Sequence, residues 1–277
     1  MGGLSKKSFL VRGLVNDVGW PTLLISSGNM LLKKSYVPDE LEGATITANA
    51  VVQATRTMGG NIMGVGNLDL AAGLPLLKAV HQPPDFNLLS ANLVAPGTTK
   101  PLFAPISWAK AGDLRVAMIG LTDHHAISGG GGFEVLPWEK VLQQTLAVVQ
   151  PQADFILLLS NYTLAENQNI ARNFGEIDCI LQAGHVIGNM APIIIKNTLI
   201  SQTDIRGKYV GMLDIQWNGH GRWREAARAS SEAASNSTTY SNRYIALKMS
   251  MRNDPAVEAI VKQAQRQIAK SEHQSSN

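Results

Sequence analysis

The chain is poor in cysteine, in charge and in aromatic rings. Cys179 is the single cysteine among 277 residues. One thiol excludes an internal disulfide and a metal site built from cysteines. It sits inside the run Ile177-Asp178-Cys179-Ile180-Leu181, the setting of a buried, inert thiol and not of a nucleophile. Charged residues are 16% of the chain and aromatics 6%, and the lysines and arginines behind the net charge of +3 are scattered. That pattern excludes the basic, aromatic-interleaved footprint of a nucleic-acid binder. No run reaches the ~20 consecutive apolar residues that span a bilayer, so no transmembrane segment is expected. Met1-Gly2-Gly3-Leu4-Ser5-Lys6-Lys7 has lysines but no apolar stretch after them, so no signal peptide is visible.

What is present is a chain 45% hydrophobic, patterned as alternating strands and helices. Phe9, Leu10, Leu14 and Val15 have helical spacing over residues 4–17. Pro21–Ile25 reads as a buried strand, residues 44–58 as a helix despite several threonines, and Asn61–Val65 as a short strand. Strands are expected at 86–89 and 114–119, and a helix opened by Pro137 runs to about Val149. Asp154–Leu159 is the clearest buried strand. A helix near 163–174 and a strand at 178–183 follow, then strand-like runs at 192–195, 198–203 and 209–217. This alternation predicts an α/β fold, mainly parallel with helices outside and antiparallel hairpins at the end.

The character changes after Trp223. Residues 225–241 are rich in Ala, Ser and Asn, a linker by composition. From Asp254, a capping residue followed by Pro255, an apolar stripe of Val257, Ile260, Val261, Ala264 and Ile268 predicts an amphipathic helix. That stripe has to bury itself, on its own domain or on a partner.

Four short polar runs follow strand-like segments: Ser26-Ser27-Gly28-Asn29, Gly66-Asn67-Leu68-Asp69, Leu159-Ser160-Asn161 and Gly184-His185-Val186-Ile187. In α/β sheets ligands bind beyond the carboxyl ends of strands, so the four runs are expected to converge there. Taken singly, Gly and Asn are ordinary turn residues. With Gly2–Lys7, Ser90-Ala91-Asn92-Leu93 and Val116–Thr122, the runs resemble, over roughly residues 2–224, the N-terminal domain of calcineurin-like metallophosphoesterases of the 5′-nucleotidase branch.

The resemblance implies a layered α-β-β-α sandwich of mixed sheets, here lacking the first strand. It implies two divalent metals bridged by a carboxylate, which clamp a phosphate and activate water. The family pattern runs Asp-x-His, Gly-Asp, Gly-Asn-His-Asp/Glu, a lone His, then Gly-His-x-His. Here the Asp-x-His strand is missing, the bridging Asp position holds Asn29, and the general-acid His position holds Leu68. Asn67 keeps the amide ligand, the lone His position holds Asn161, His185 is kept, and Ile187 replaces the last His. The resemblance makes Asn29, Asn67, Asn161 and His185 vestigial positions supported by Asp69 and by Asn92, which could equally cap a loop, and no catalytic residue is assigned. Leu68 and Ile187 are expected to be largely buried in the space the metals would fill.

Asp123, His124 and His125 are alternative ligands that His185 could join, although neighbours in sequence seldom point at one ion and a solvated turn is the plainer reading. Gly129–Gly132 is not a phosphate-binding loop, since no Lys-Ser/Thr follows it. His81, His220 and His273 read as surface residues. The expectation is a non-catalytic 5′-nucleotidase-like protein with no cofactor, acting in binding or as a subunit of an assembly. The alternative is a divergent phosphoesterase with one divalent metal (Mn, Zn or Mg). The expected organisation is a metallophosphoesterase-like domain over 1–224, a linker or extended segment over 225–252, and a helix with tail over 253–277. A protein partner is expected through 242–271 or an uncovered sheet edge. The resemblance implies a periplasmic or extracellular location.

Overall fold

A computed structural model describes residues 3–32, 41–82, 85–125, 132–185, 188–204, 207–219, 221–226 and 237–275. The principal sheet has six strands: β5 (Ile106–Ala111), β6 (Leu114–Leu121), β8 (Phe155–Ser160), β9 (Cys179–Gln182), β10 (Met190–Ile195) and β11 (Thr198–Gln202). Their order across the sheet is β10-β11-β9-β8-β6-β5. β6, β8, β9 and β11 run parallel, and β5 and β10 close the two edges antiparallel. A second, all-parallel sheet joins β1 (Ile25–Ser26), β2 (Ile62–Gly64) and β3 (Asn87–Leu89). A third holds β12 (Tyr209–Gln216), β14 (Thr238–Ala246) and β13 (Trp223–Glu225), with β14 in the middle. β4 (Leu93–Val94) and β7 (Glu134–Val135) form a two-stranded ribbon.

Side-chain alternation along the strands sorts the core into layers. On β6 and β8, Ala117, Ile119, Leu121, Ile156 and Leu158 face α4 (Leu142–Val149) and α5 (Leu164–Asn173), where Leu142, Leu146 and Ile170 meet them. The intervening Val116, Met118, Phe155, Leu157 and Leu159 face inward and pack with Ile62, Leu89, Trp223 and Tyr240 of the other two sheets. Met63, Val65 and Leu88 point the opposite way, onto α2 (Leu41–Thr57) and α3 (Leu74–Val80), with Val51, Val52, Leu74 and Leu77. The result is the expected α-β-β-α sandwich. α2 is helical despite its threonines, and Thr45, Thr55 and Thr57 satisfy their hydroxyls on the carbonyl four residues back, Thr55 on Val51 at 2.8 Å. Cys179 is buried, and burial pushes its thiol well above the usual range.

Several sequence expectations are corrected. The strand at Pro21–Ile25 is only Ile25–Ser26, because its partner β2 offers just three residues and the register pairs two of them. The hairpin of β5 with β6 was not anticipated; Gly112-Asp113 is its turn signal. The stretch read as a linker by composition becomes β14 from Thr238, since Thr238, Thr239, Tyr240, Tyr244 and Ile245 are strand formers that the Ala/Ser average conceals.

The C-terminal helix α6 (Pro255–Ser275) docks on α1 (Leu4–Val18) and α2, with Val257 and Val261 against Ala54 and Leu4. Asp254 caps it, accepting from the backbone N–H groups of Ala256 and Val257, and takes the buried Ser8 hydroxyl at 2.7 Å. Among the described residues no helix is long and apolar enough to cross a membrane.

Candidate functional site

The carboxyl ends of β1, β2, β6, β8 and β9 deliver their loops to one edge of the sandwich, and side-chain amides and carboxylates stitch those loops together. Asn29 follows β1 in the left-handed region (φ 55°), which Asn tolerates better than most residues. Its Oδ1 accepts the Leu68 backbone N–H at 2.9 Å. Asn161, after β8, accepts the Asn67 N–H on Oδ1 at 2.8 Å. Gly184, at φ 77°, comes so close to Asn161 that a Cβ would stand 2.4 Å from its Nδ2, so only glycine fits there. Three of the four polar runs are thus bonded to one another in sequence, and the fourth is pressed against the third.

Asp69 is the anchor beneath them. Fully buried, it accepts the N–H groups of Asn29 (2.7 Å), Gly66 (2.9 Å) and Leu31 (2.9 Å). Burial pushes its carboxyl up to about 6 against the downward pull of those N–H groups and that of Met30. Asn92 does the same work under β6. Its Nδ2 donates to the carbonyls of Thr122 (2.7 Å) and Leu136 (2.8 Å), and its Oδ1 accepts the Thr122 N–H (2.8 Å).

Asp123, His124 and His125 come together after β6, with ligating atoms within 4.8 Å of one another. Asp123 is buried, contrary to a solvated turn. One of its oxygens lies 3.0 Å from Nδ1 of His125 and the other 2.9 Å from Nε2 of His185, whose backbone is left-handed at φ 46°. The sequence reading missed Tyr162 and Glu166. Tyr162 adjoins Asn161, and its hydroxyl is 2.9 Å from Nδ1 of His124. Burial, then the carboxylates of Asp123, Glu166 and Glu139, push that phenol well above its usual range, so it stays protonated. Glu166 Oε2 is 3.7 Å from Nδ1 of His125. Their signal was position: both lie within six residues of the β8 carboxyl end.

Leu68 is half-buried, less than the expectation required, and Ile187 lies outside the described residues, as do Gly129–Gly131, His220 and residues 227–236. His81 is not a surface residue. It is half-buried, its Nδ1 accepts the Leu88 N–H at 3.4 Å, and its ring meets Phe103 edge-on at 5.3 Å. His273 is exposed.

The residues present do not fit a pair of bridged divalent metals. Asn29 and Asn161 have their oxygens on backbone N–H groups, and His185 faces Asp123. Asn67 Oδ1 is buried and has no hydrogen-bond donor among the described residues. Neutral amides give two cations little reason to stay.

Two stacked sheets flanked by helices, with polar loops gathered at the carboxyl edge, define the class: this chain has a calcineurin-like metallophosphoesterase fold of the 5′-nucleotidase type. No protein-family model matches it. It is 29% identical over 153 residues to protein UshA of Escherichia coli (strain K12), a match covering 53% of this chain and 27% of that protein. It is 25% identical over 144 residues to the uncharacterized metallophosphoesterase YunD of Bacillus subtilis (strain 168), covering 50% of this chain and 31% of that one. The matches therefore span less than a third of either relative's length. The solved 5′-nucleotidase precursor of Thermus thermophilus superposes with a TM-score of 0.74 at 17% identity, over 96% of this chain and 53% of that chain.

Proposed function

We propose that this chain retains the 5′-nucleotidase-like scaffold without two-metal hydrolysis, and acts in binding or as a subunit of a larger assembly. One observation carries the reading. The oxygens of Asn29 and Asn161, at the positions where the resemblance puts a bridging Asp and a His, accept backbone N–H groups of the loop holding Asn67 and Leu68. Turning either amide toward a cation would strand an N–H, at roughly 1–3 kcal/mol each. Leu68, where a general acid would stand, has no proton to give.

A second reading is a divergent phosphoesterase using one metal, favoured by His185 and by Asn67 Oδ1, which has no partner among the described residues. Assays with a chromogenic phosphomonoester and added Mn²⁺, Zn²⁺ or Mg²⁺ separate the two. Background rates are expected throughout; turnover that His185→Ala abolishes would overturn the first reading.

For a subunit role, the candidate surfaces among the described residues are the outer face of α6 within residues 242–271 and the side of β1 away from β2. Native mass spectrometry of the protein isolated from its source tests this, and a lone chain counts against it.

A further inference from the structure

The Asp123 centre is chemically separate from the stitched amide loops, and of its members only His185 belongs to both. Asp123 has a side chain 1% exposed, and its ion-pair partners among the described residues are the imidazoles of His125 and His185. It also accepts the His125 backbone N–H at 2.8 Å. No lysine or arginine answers this carboxylate among the described ion pairs. A divalent cation among the same atoms would compensate this buried carboxylate directly.

We propose that Asp123, His124 and His125, with His185 and Glu166 beside them, bind one late first-row divalent cation of the zinc type. The donor set decides the class: imidazole nitrogens with one or two carboxylates favour Zn²⁺, Co²⁺ or Ni²⁺ over Mg²⁺ or Ca²⁺, which prefer all-oxygen shells. Neighbours in sequence can serve one ion here because the rings of His124 and His125 lie against each other, centroids 3.8 Å apart. The Tyr162 hydroxyl at Nδ1 of His124 leaves that ring's Nε2 for the ion and holds the ring from behind. Tyr162 is buried and contacts Asn92, which is itself bonded to the backbone on both sides of the loop. The exposed edges of His125 and His185 give an ion its entry path.

The test is calorimetric titration of the untagged, EDTA-stripped full chain with Zn²⁺, repeated with Co²⁺ and followed by its visible absorption. One equivalent is expected, with a rise in melting temperature. Asp123→Asn and His125→Ala should each weaken binding by about tenfold or more, at least the loss typical of an outer-shell change. His125 has a side chain 58% exposed, so its variant will fold even if the Asp123 variant does not. No saturable binding, or binding untouched in His125→Ala, overturns the proposal. The chromogenic assay run on the same samples keeps the two readings apart. Zinc bound without turnover supports both, and turnover by a chain that binds no zinc at His125 sinks both.

Discussion

Asp69 sets two opposing forces against each other, and its titration shows which wins. Burial raises the carboxyl from 3.8 to about 6, while four backbone N–H groups pull the other way. At about 1.4 kcal/mol per pH unit, that rise amounts to about 3 kcal/mol. The sign follows from proton binding. Between those values the folded chain holds a proton that the unfolded chain has released, so stability falls as pH rises. The contribution is whole below pH 3.8, is lost through about pH 6, and stays level above it. Urea unfolding followed by tryptophan fluorescence from pH 4 to 8, on the wild type and Asp69→Asn, isolates the effect. Asp178, pushed by burial up to about 7, titrates in both chains and cancels. The variant turns an amide N–H₂ toward backbone donors, so it should be less stable at pH 4 by about 1–3 kcal/mol. By pH 7 the gap should shrink by about 2 kcal/mol and largely close or reverse. A gap that stays constant or widens with pH would refute the reasoning. It would mean the N–H cradle outweighs burial.

Two further substitutions test the packing that carries the site. Gly120 lies on β6 where β3 crosses, and an added Cβ would stand 2.2 Å from the Leu89 carbonyl oxygen. Gly120→Ala should cost roughly 3 kcal/mol or more by urea midpoint, because backbone on both sides must move. An unchanged midpoint would show that the sheets can part easily. Asp254→Ala removes the α6 cap and the acceptor of the buried Ser8 hydroxyl, at about 2–3 kcal/mol in thermal unfolding. Arg12→Ala, at the half-exposed end of the same cluster, should change stability by less than about 0.5 kcal/mol. Equal losses would mean the ion pair matters more than the cap.

Strand and helix periodicity made most of the fold legible. The buried run Phe155–Leu159, the amphipathic stripe of α6 and its Asp254 cap all fell where local pattern put them. β14 was hidden because composition averaged over 225–241 hides the strand formers at its end, and β1 was overlong because strand length is set by the partner's register. His81 looked superficial beside prolines, yet it packs on Phe103, a contact no local pattern encodes.

Strand and helix alternation determined the α/β class and the edge of the sheet where polar loops collect, because side-chain period and turn chemistry are local properties; the layering was implied only by the family resemblance. The family resemblance adds the expectation that Asn29, Leu68 and Asn161 occupy positions of a carboxylate and two imidazoles. Only the tertiary structure decided what those amides do instead. Their acceptors close on N–H groups that belong to another loop, 39 residues away for Asn29 and 94 for Asn161. Burial of Asp123 between His125 and His185 was likewise beyond local reading, since strands β6 and β9 are joined only through β8. Charge compensation in a low-dielectric interior depends on which strand ends meet, and chain order does not state that.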